Sequence, residues 1–159
     1  MLLNDSIPII TTPYFKFFEL DAMAKLGFLR EVLERVKEYW GGMLKEGAVT
    51  FWEEYIPGQT GKERFAMYGD PYGKSLCHAW GASPIYLLGR YFLGVRPLEP
   101  GYVTFEVYPK AGKENGIFRE LDCMVPVKNG SVHIVYHEGL LSVTADRKGG
   151  RLRIGEEYY

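Results

Sequence analysis

Apolar positions in the first half of the chain recur with the three-to-four-residue spacing of amphipathic helices. Thr11 or Thr12 ahead of Pro13 is a typical helix start, with a capping hydroxyl and a proline in the first turn. Helical spacing continues to about residue 26, and Gly27 is expected to end this first helix. The pattern therefore predicts a short helix with an aromatic face.

Two further helices follow from the same spacing. The second is predicted from about Phe28 to Trp40, with one apolar stripe and a charged opposite face, and Gly41-Gly42 is expected to stop it. Residues 56–74 hold four glycines and two prolines, which predicts a long loop over a site. The third helix is predicted from about Ser75–His78 to about Leu93.

After Gly94 the period changes to the alternation of strands. Alternating residues 102–108, then 125–127 and 131–137 around Asn129-Gly130, predict one strand and a hairpin. Two more short strands are predicted at 140–145 and 151–154. Together they favour a small antiparallel β-sandwich. We place the domain boundary so that residues 1–95 are helical and residues 96–159 form the sandwich.

Composition excludes several classes of function. The formal charge of −1 on 159 residues gives no long-range attraction to nucleic acid or to an anionic membrane. No apolar stretch reaches the roughly 18 residues of a membrane span, and the N-terminal segment lacks the features of a signal peptide, so no compartment is assigned. The aromatic content of 15% is high, and aromatic rings commonly line carbohydrate sites.

The cysteines and two of the histidines indicate no metal site. Cys77 and Cys123 lie far apart without zinc-ligand spacing, so two buried free thiols are favoured, with a single bridge left open. His133 and His137 share one strand face without a third ligand, and we interpret them as surface or packing residues. No metal and no cofactor are expected.

The candidate chemistry lies in two short stretches, TFWEEY (50–55) and SLCHAWG (75–81). The first sets Glu53 and Glu54 between aromatic residues, and the second places a histidine at a predicted helix start. From the residues alone, such a glutamate pair is more often a solvated face, and Trp40 nearby is more often core. Glu54 is interpreted as structural.

The three predicted helices carry more apolar surface than a trio can bury while leaving room for a pocket. Such paired helices usually belong to a larger array. We therefore expect the chain to be the C-terminal piece of a longer enzyme, with Met1 either a native start or the point where that longer chain was cut.

Three stretches in order, TTPYFKFFELDAMAKLGF, EYWGGMLKEGAVTFWEEY and SLCHAWGASPIYLLGRYFLGVRPLEPGY, resemble the end of the catalytic domain of bacterial alpha-L-rhamnosidases. The resemblance covers most of positions 11–110. It implies an α+β multi-domain fold: the last helices of an (α/α)6 toroid followed by a small β-sandwich. It also implies an inverting glycoside hydrolase acting on a rhamnose-containing glycoside or polysaccharide.

The resemblance carries roles over to particular residues. The Thr-x-Trp-Glu pattern falls on Thr50, Trp52 and Glu53, which makes Glu53 the general base. His78 falls on the histidine that contacts rhamnose, and Trp80 follows two residues later. The family's general acid lies upstream, and no segment of this chain matches its motif. The chain alone is therefore expected to be inactive.

The residue types suit this chemistry. The base of an inverting glycosidase must be ionised, and a solvated carboxylate meets that need. Trp52 and Tyr55 would fix the Glu53 rotamer and pack against the methyl group of a deoxy sugar. His78 would donate a hydrogen bond to a sugar hydroxyl, and a helix start would favour its neutral imidazole.

Two alternatives stay open. The first is a non-catalytic carbohydrate-binding or interaction module, which would explain the aromatic residues and the sandwich without a general acid. The second is a toroidal glycosidase for another sugar. If the chain is only a piece of a longer enzyme, its exposed helix faces predict self-association or poor solubility.

Overall fold

The protein is described here from a computed structural model that covers residues 9–109, 117–127, 130–147, 151–154 and 157–158. Its fold is mixed α+β, with helices in the first part of the chain and two small, mainly antiparallel sheets in the second. Two compact units divide between Tyr86 and Leu87. Three α-helices in the described residues give no evidence of an (α/α)6 toroid within this chain.

The first helix, α1, spans Pro13–Lys25 and confirms the predicted start and end. The expected capping hydroxyl was wrong, because Thr12 makes no side-chain capping bond and the Thr11 hydroxyl donates to Glu54. Pro13 is its first residue because a proline needs no hydrogen-bond acceptor in the first turn. Gly27, at φ 90°, ends it. The N–H of Phe28 then donates to the Met23 carbonyl at 3.0 Å, which closes a Schellman motif.

The second helix, α2, spans Leu29–Lys45, so the prediction that Gly41-Gly42 stops it was wrong. Both glycines lie inside the helix. It ends instead at Gly47, at φ 89°, where the Ala48 N–H donates to the Met43 carbonyl at 3.0 Å. Gly41 and Gly42 therefore remain helical, and Gly47, with its positive φ, terminates the helix.

The predicted start of the third helix was also wrong. The third helix, α3, spans Ser83–Leu87 and continues as a π-helical turn over Leu88–Phe92. Before it comes only a single 3-10 turn, Ala79–Gly81, and His78 is extended at φ −114° and ψ 110°. Because the His78 N–H donates to the Phe51 carbonyl at 2.7 Å, this segment pairs with a neighbouring one instead of starting a helix.

The second unit contains seven strands in two sheets among the described residues. One sheet has the order β1-β2-β6-β7 and the other β3-β4-β5. Their ranges are β1 Val95–Pro97, β2 Thr104–Val107, β3 Glu120–Val127, β4 Gly130–His137, β5 Leu140–Arg147, β6 Arg151–Ile154 and β7 Glu157–Tyr158. All neighbouring strands are antiparallel except β2 and β6, which are parallel.

The strand pairing confirms the predicted hairpin. Val127 of β3 faces Gly130 of β4, and the two residues between them, including Asn129, lie outside the described residues. Fully buried residues of both sheets, among them Phe105 and Ile134, share one apolar cluster. This cluster is the core of the second unit.

Candidate functional site

The predicted base lies where two segments of the first unit run side by side. The Glu53 N–H donates to the Ser75 carbonyl at 2.9 Å. In return, the Ser75 N–H donates to Oε2 of Glu53 at 3.0 Å. With the bond from His78 to Phe51 described above, these contacts bring residues 51–53 against 75–78. The structure thus joins the two stretches that the sequence singled out.

The Glu53 carboxylate is held at both of its oxygens. Oε1 accepts a hydrogen bond from the Tyr68 hydroxyl at 2.8 Å, and Oε2 accepts the Ser75 N–H. Donation from Ser75 lowers the pKa of Glu53 most, burial opposes it, and Tyr68 and the nearby charges of His78 and Lys74 lower it further. Glu53 is therefore an ionised, half-buried carboxylate at neutral pH.

His78 and Trp80 extend the site along the surface. Their rings meet edge to face with centroids 5.7 Å apart. Trp80 also lies over Tyr14 of α1, at 5.1 Å between centroids and 35° between planes. Trp80 is 66% exposed, so it is a surface ring and not a core residue.

The rings around Trp80 form a continuous surface, which we call the aromatic surface. Tyr14 contacts Phe15 and Phe18 at 5.2 and 5.3 Å. The chain of ring contacts continues through Phe17 to Tyr86. The aromatic surface is made of Tyr14, Phe15, Phe17, Phe18, Trp80 and Tyr86. Phe15 and Phe18 are 60% and 52% exposed, which is unusual for phenylalanine.

Trp52 and Tyr55 do not flank the Glu53 carboxylate. Trp52 is buried, and both side chains line a small cavity, about 10 Å³ in volume, together with Glu54 and Lys74. Glu53 is not among the residues that line this cavity. Ser75 and Tyr68 take the orienting role that the sequence assigned to Trp52 and Tyr55.

Glu54 forms a buried ion pair beneath the site. Its Oε2 lies 3.3 Å from the Lys74 Nζ, and the Lys74 side chain is only 1% exposed. Its Oε1 accepts a hydrogen bond from the Thr11 hydroxyl at 2.9 Å. Trp40 is buried nearby, and its Nε1–H donates to the Gly81 carbonyl at 2.8 Å. These contacts fit the structural interpretation of Glu54 and Trp40.

The remaining polar candidates are two histidines and two cysteines. In the second unit, the His133 Nε2 lies 2.6 Å from Asp122, and the His137 Nδ1 lies 3.2 Å from Glu120. Both cysteines are free thiols, but Cys77 is exposed, so the expectation that both are buried was wrong. The reason is that residues 75–78 form an irregular segment with Leu76 and Cys77 exposed, and not an apolar helix.

Two further properties concern the described residues only. They contain no group of three acidic, histidine or cysteine side chains that could hold a metal ion. They also contain no helix with the length and apolar character needed to cross a bilayer.

Sequence reasoning missed three residues around Glu53: Tyr68, Lys74 and Ser75. The available signal was the dipeptide Tyr68-Gly69, which is compatible with a tight turn. Nothing in the local sequence indicates that this turn carries a hydroxyl to a residue fifteen positions earlier.

No protein-family model matches this chain, and a search of curated proteins finds no significant match.

Proposed function

We propose that this chain supplies the general base of an inverting alpha-L-rhamnosidase, as the C-terminal part of such an enzyme. The single observation that carries the proposal is the Glu53 carboxylate, held at both oxygens by Tyr68 and Ser75 beside His78 and the aromatic surface. The sequence resemblance supports the substrate class. The helices of the first unit would then complete a toroid with upstream helices.

In this reaction the base removes a proton from water as the water attacks the anomeric carbon. The base and the acid of an inverting glycosidase are about 6.5–9.5 Å apart, which leaves room for that water. Like an ordinary carboxylate, Glu53 is ionised at neutral pH, and its hydrogen bonds lower its pKa further. A weakly basic carboxylate accepts the proton only when the attacking oxygen becomes strongly acidic in the transition state.

The other residues would bind the sugar. His78 would donate a hydrogen bond to a ring hydroxyl, and the exposed face of Trp80 would contact the apolar side of the deoxy sugar. Trp52 and Tyr55 would support Glu53 from beneath, next to the ion pair of Glu54 with Lys74. No metal or other cofactor takes part in this scheme.

Hydrolysis of alpha-L-rhamnosyl fluoride tests the proposal, because fluoride leaves without a proton from a general acid. We expect the chain to release fluoride about a hundredfold faster than the Glu53→Gln variant. Glu63→Gln removes an exposed carboxylate of the same unit and should keep the rate. Phenyl alpha-L-rhamnoside, which needs the acid, should not be hydrolysed.

Equal fluoride release by the chain and its Glu53→Gln variant would remove Glu53 from the role. Turnover of the phenyl glycoside would refute the claim that the acid lies elsewhere. A panel of fluorides of other sugars separates rhamnose from the substrates of other toroidal glycosidases.

The exposed rings favour one alternative from another class, a carbohydrate-binding module without catalysis. A row of exposed aromatic rings such as the aromatic surface can hold a sugar by stacking. Such a module would bind rhamnose equally well with Gln at position 53 and would release no fluoride. The same exposed rings lead us to propose that the isolated chain self-associates.

A further inference from the structure

The turn that carries Tyr68 is strained. Met67 and Asp70 exchange both backbone hydrogen bonds, at 3.0 and 2.9 Å, around the two central residues Tyr68 and Gly69. Both central residues have positive φ, 56° for Tyr68 and 81° for Gly69. Glycine tolerates this conformation, as do asparagine and aspartate to a lesser extent, but a bulky tyrosine is an outlier in it.

Packing does not account for a tyrosine at this position. The Tyr68 side chain is 80% exposed, so its ring gains little from burial. The contact that distinguishes it is the hydrogen bond from its hydroxyl to Oε1 of Glu53. The phenol hydroxyl is the donor in this bond, and the bond to the carboxylate raises the pKa of Tyr68. Residues kept in disfavoured conformations cluster at functional sites.

The turn is fixed to the same segment that supplies the second donor. The Gly73 N–H donates to the Asp70 carbonyl at 3.2 Å, and a Cβ on Gly73 would lie 2.4 Å from the Met67 carbonyl oxygen. The next residue, Lys74, donates its N–H to the Phe65 carbonyl at 3.0 Å. The turn is therefore packed directly against Gly73 and Lys74, which lead to Ser75.

Lys74 anchors this segment to the interior. Its ammonium group lies in the buried ion pair with Glu54, whose other oxygen accepts the hydroxyl of Thr11. Ser75 follows immediately and donates to Oε2 of Glu53. One anchored segment, residues 67–75, thus presents a donor to each oxygen of the same carboxylate.

We propose that Tyr68 is a positioning residue for Glu53, and that its strained conformation persists because the hydroxyl must reach Oε1. Tyr68 and Ser75 fix the plane of the carboxylate, so that its remaining lone pairs face the attacking water. The role of Glu53 as the base rests on the proposed function. The positioning of the Glu53 carboxylate by the Tyr68 hydroxyl does not.

Two variants separate the hydroxyl from the strain. Tyr68→Phe loses the hydroxyl and keeps the strained conformation, whereas Tyr68→Asn loses the hydroxyl and suits the turn. Tyr72→Phe is the matched control, since it removes another exposed phenol hydroxyl from the same segment. The measurements are the titration of Glu53 by carboxyl-carbon NMR and the melting temperature of each variant.

We expect both Tyr68 variants to raise the pKa of Glu53 toward its ordinary value, with Tyr68→Asn melting at a higher temperature than Tyr68→Phe. Tyr72→Phe should leave the titration of Glu53 unchanged. An unchanged Glu53 titration in Tyr68→Phe overturns the proposal. So does a Tyr68→Asn variant that melts no higher than Tyr68→Phe, because the turn would then hold no strain.

Fluoride release distinguishes this inference from the proposed function. In the expected case, Tyr68→Phe lowers kcat for alpha-L-rhamnosyl fluoride several-fold and changes KM little, as a defect in orientation would. If the chain releases no fluoride but Glu53 titrates as predicted in the variants, the positioning role stands and the proposed function fails. If fluoride is released and Tyr68→Phe changes neither rate nor titration, only the positioning role fails.

Discussion

Glu53 and Ser75 hold each other by two hydrogen bonds: the N–H of Glu53 donates to the Ser75 carbonyl at 2.9 Å, and the N–H of Ser75 donates to Oε2 of Glu53 at 3.0 Å. The first bond aligns two segments that are far apart in sequence. The second orients a side chain. A single pairing of backbones therefore places the carboxylate and lowers its pKa.

The close approach of α2 to Tyr55 predicts opposite effects at two adjacent glycines. A Cβ on Gly42 would lie 2.4 Å from Oη of Tyr55, whereas a Cβ on Gly41 would meet nothing within 4 Å. Gly42→Ala should lower the free energy of unfolding by about 1–3 kcal/mol through overpacking. Gly41→Ala should raise it by up to about 1 kcal/mol, the gain in helix propensity. Urea denaturation measures both, and equal effects would refute the contact with Tyr55.

The buried ion pair predicts strong coupling between Lys74 and Glu54. Lys74→Met leaves the Glu54 carboxylate without its cation and should lower the free energy of unfolding by about 3 kcal/mol. The double variant with Glu54→Gln should lose less than the sum of the single variants, by more than about 1 kcal/mol. Lys62→Met, an exposed lysine of the same loop, should change little. Additive effects in the denaturation cycle would contradict a buried pair.

The lowered pKa of Glu53 predicts a pH dependence with a defined sign. The folded state binds the Glu53 proton less tightly than the unfolded state does. The resulting stabilisation is therefore present above the unfolded pKa and is lost as the pH falls through the folded pKa. The melting temperature of the chain should exceed that of Glu53→Gln at neutral pH, with the difference shrinking under acidic conditions. A difference in melting temperature that grows as the pH falls would mean that folding raises the pKa of Glu53 and does not lower it.

The aromatic surface predicts association of the isolated chain. Phe15 and Phe18 are more than half exposed on α1, so a polar residue there should reduce association without unfolding the helix. Sedimentation velocity should show oligomers for the chain and monomers for the double variant Phe15→Ser, Phe18→Ser. The double variant Leu26→Ser, Val49→Ser is the matched control and should leave the oligomers intact, because both residues are exposed but lie outside the aromatic surface. A clean monomer in the unmodified chain would remove the self-association proposal.

The parts of the fold that local signals determine could be predicted. Thr12-Pro13 and Gly27 bound α1 as expected, and the hairpin of β3 and β4 follows the alternation of its residues. The end of α2 and the start of α3 could not be predicted. The local signal of Gly47 ends α2, while Gly41-Gly42 remain helical, and a tertiary contact decides the start of α3. Tyr55 packs where Gly42 leaves room, and His78 gives its N–H to Phe51.

The same distinction applies to the site. The sequence singled out Glu53 and His78, and the backbone pairing of residues 51–53 with 75–78 brings their segments together. The orienting residues could not be foreseen, since Tyr68 reaches Glu53 only from a left-handed backbone conformation that tyrosine rarely adopts. Trp52 and Tyr55 were placed beside the carboxylate by proximity in sequence, whereas the fold directs them into a small cavity that Glu53 does not line.

The most direct test is the anomeric configuration of the first sugar released from alpha-L-rhamnosyl fluoride, followed by proton NMR before mutarotation. A water deprotonated by Glu53 attacks from the face opposite the fluoride, so the account predicts beta-L-rhamnose first, and its loss in Glu53→Gln. Release of alpha-L-rhamnose, or of no sugar above the rate of the Glu53→Gln variant, would contradict it.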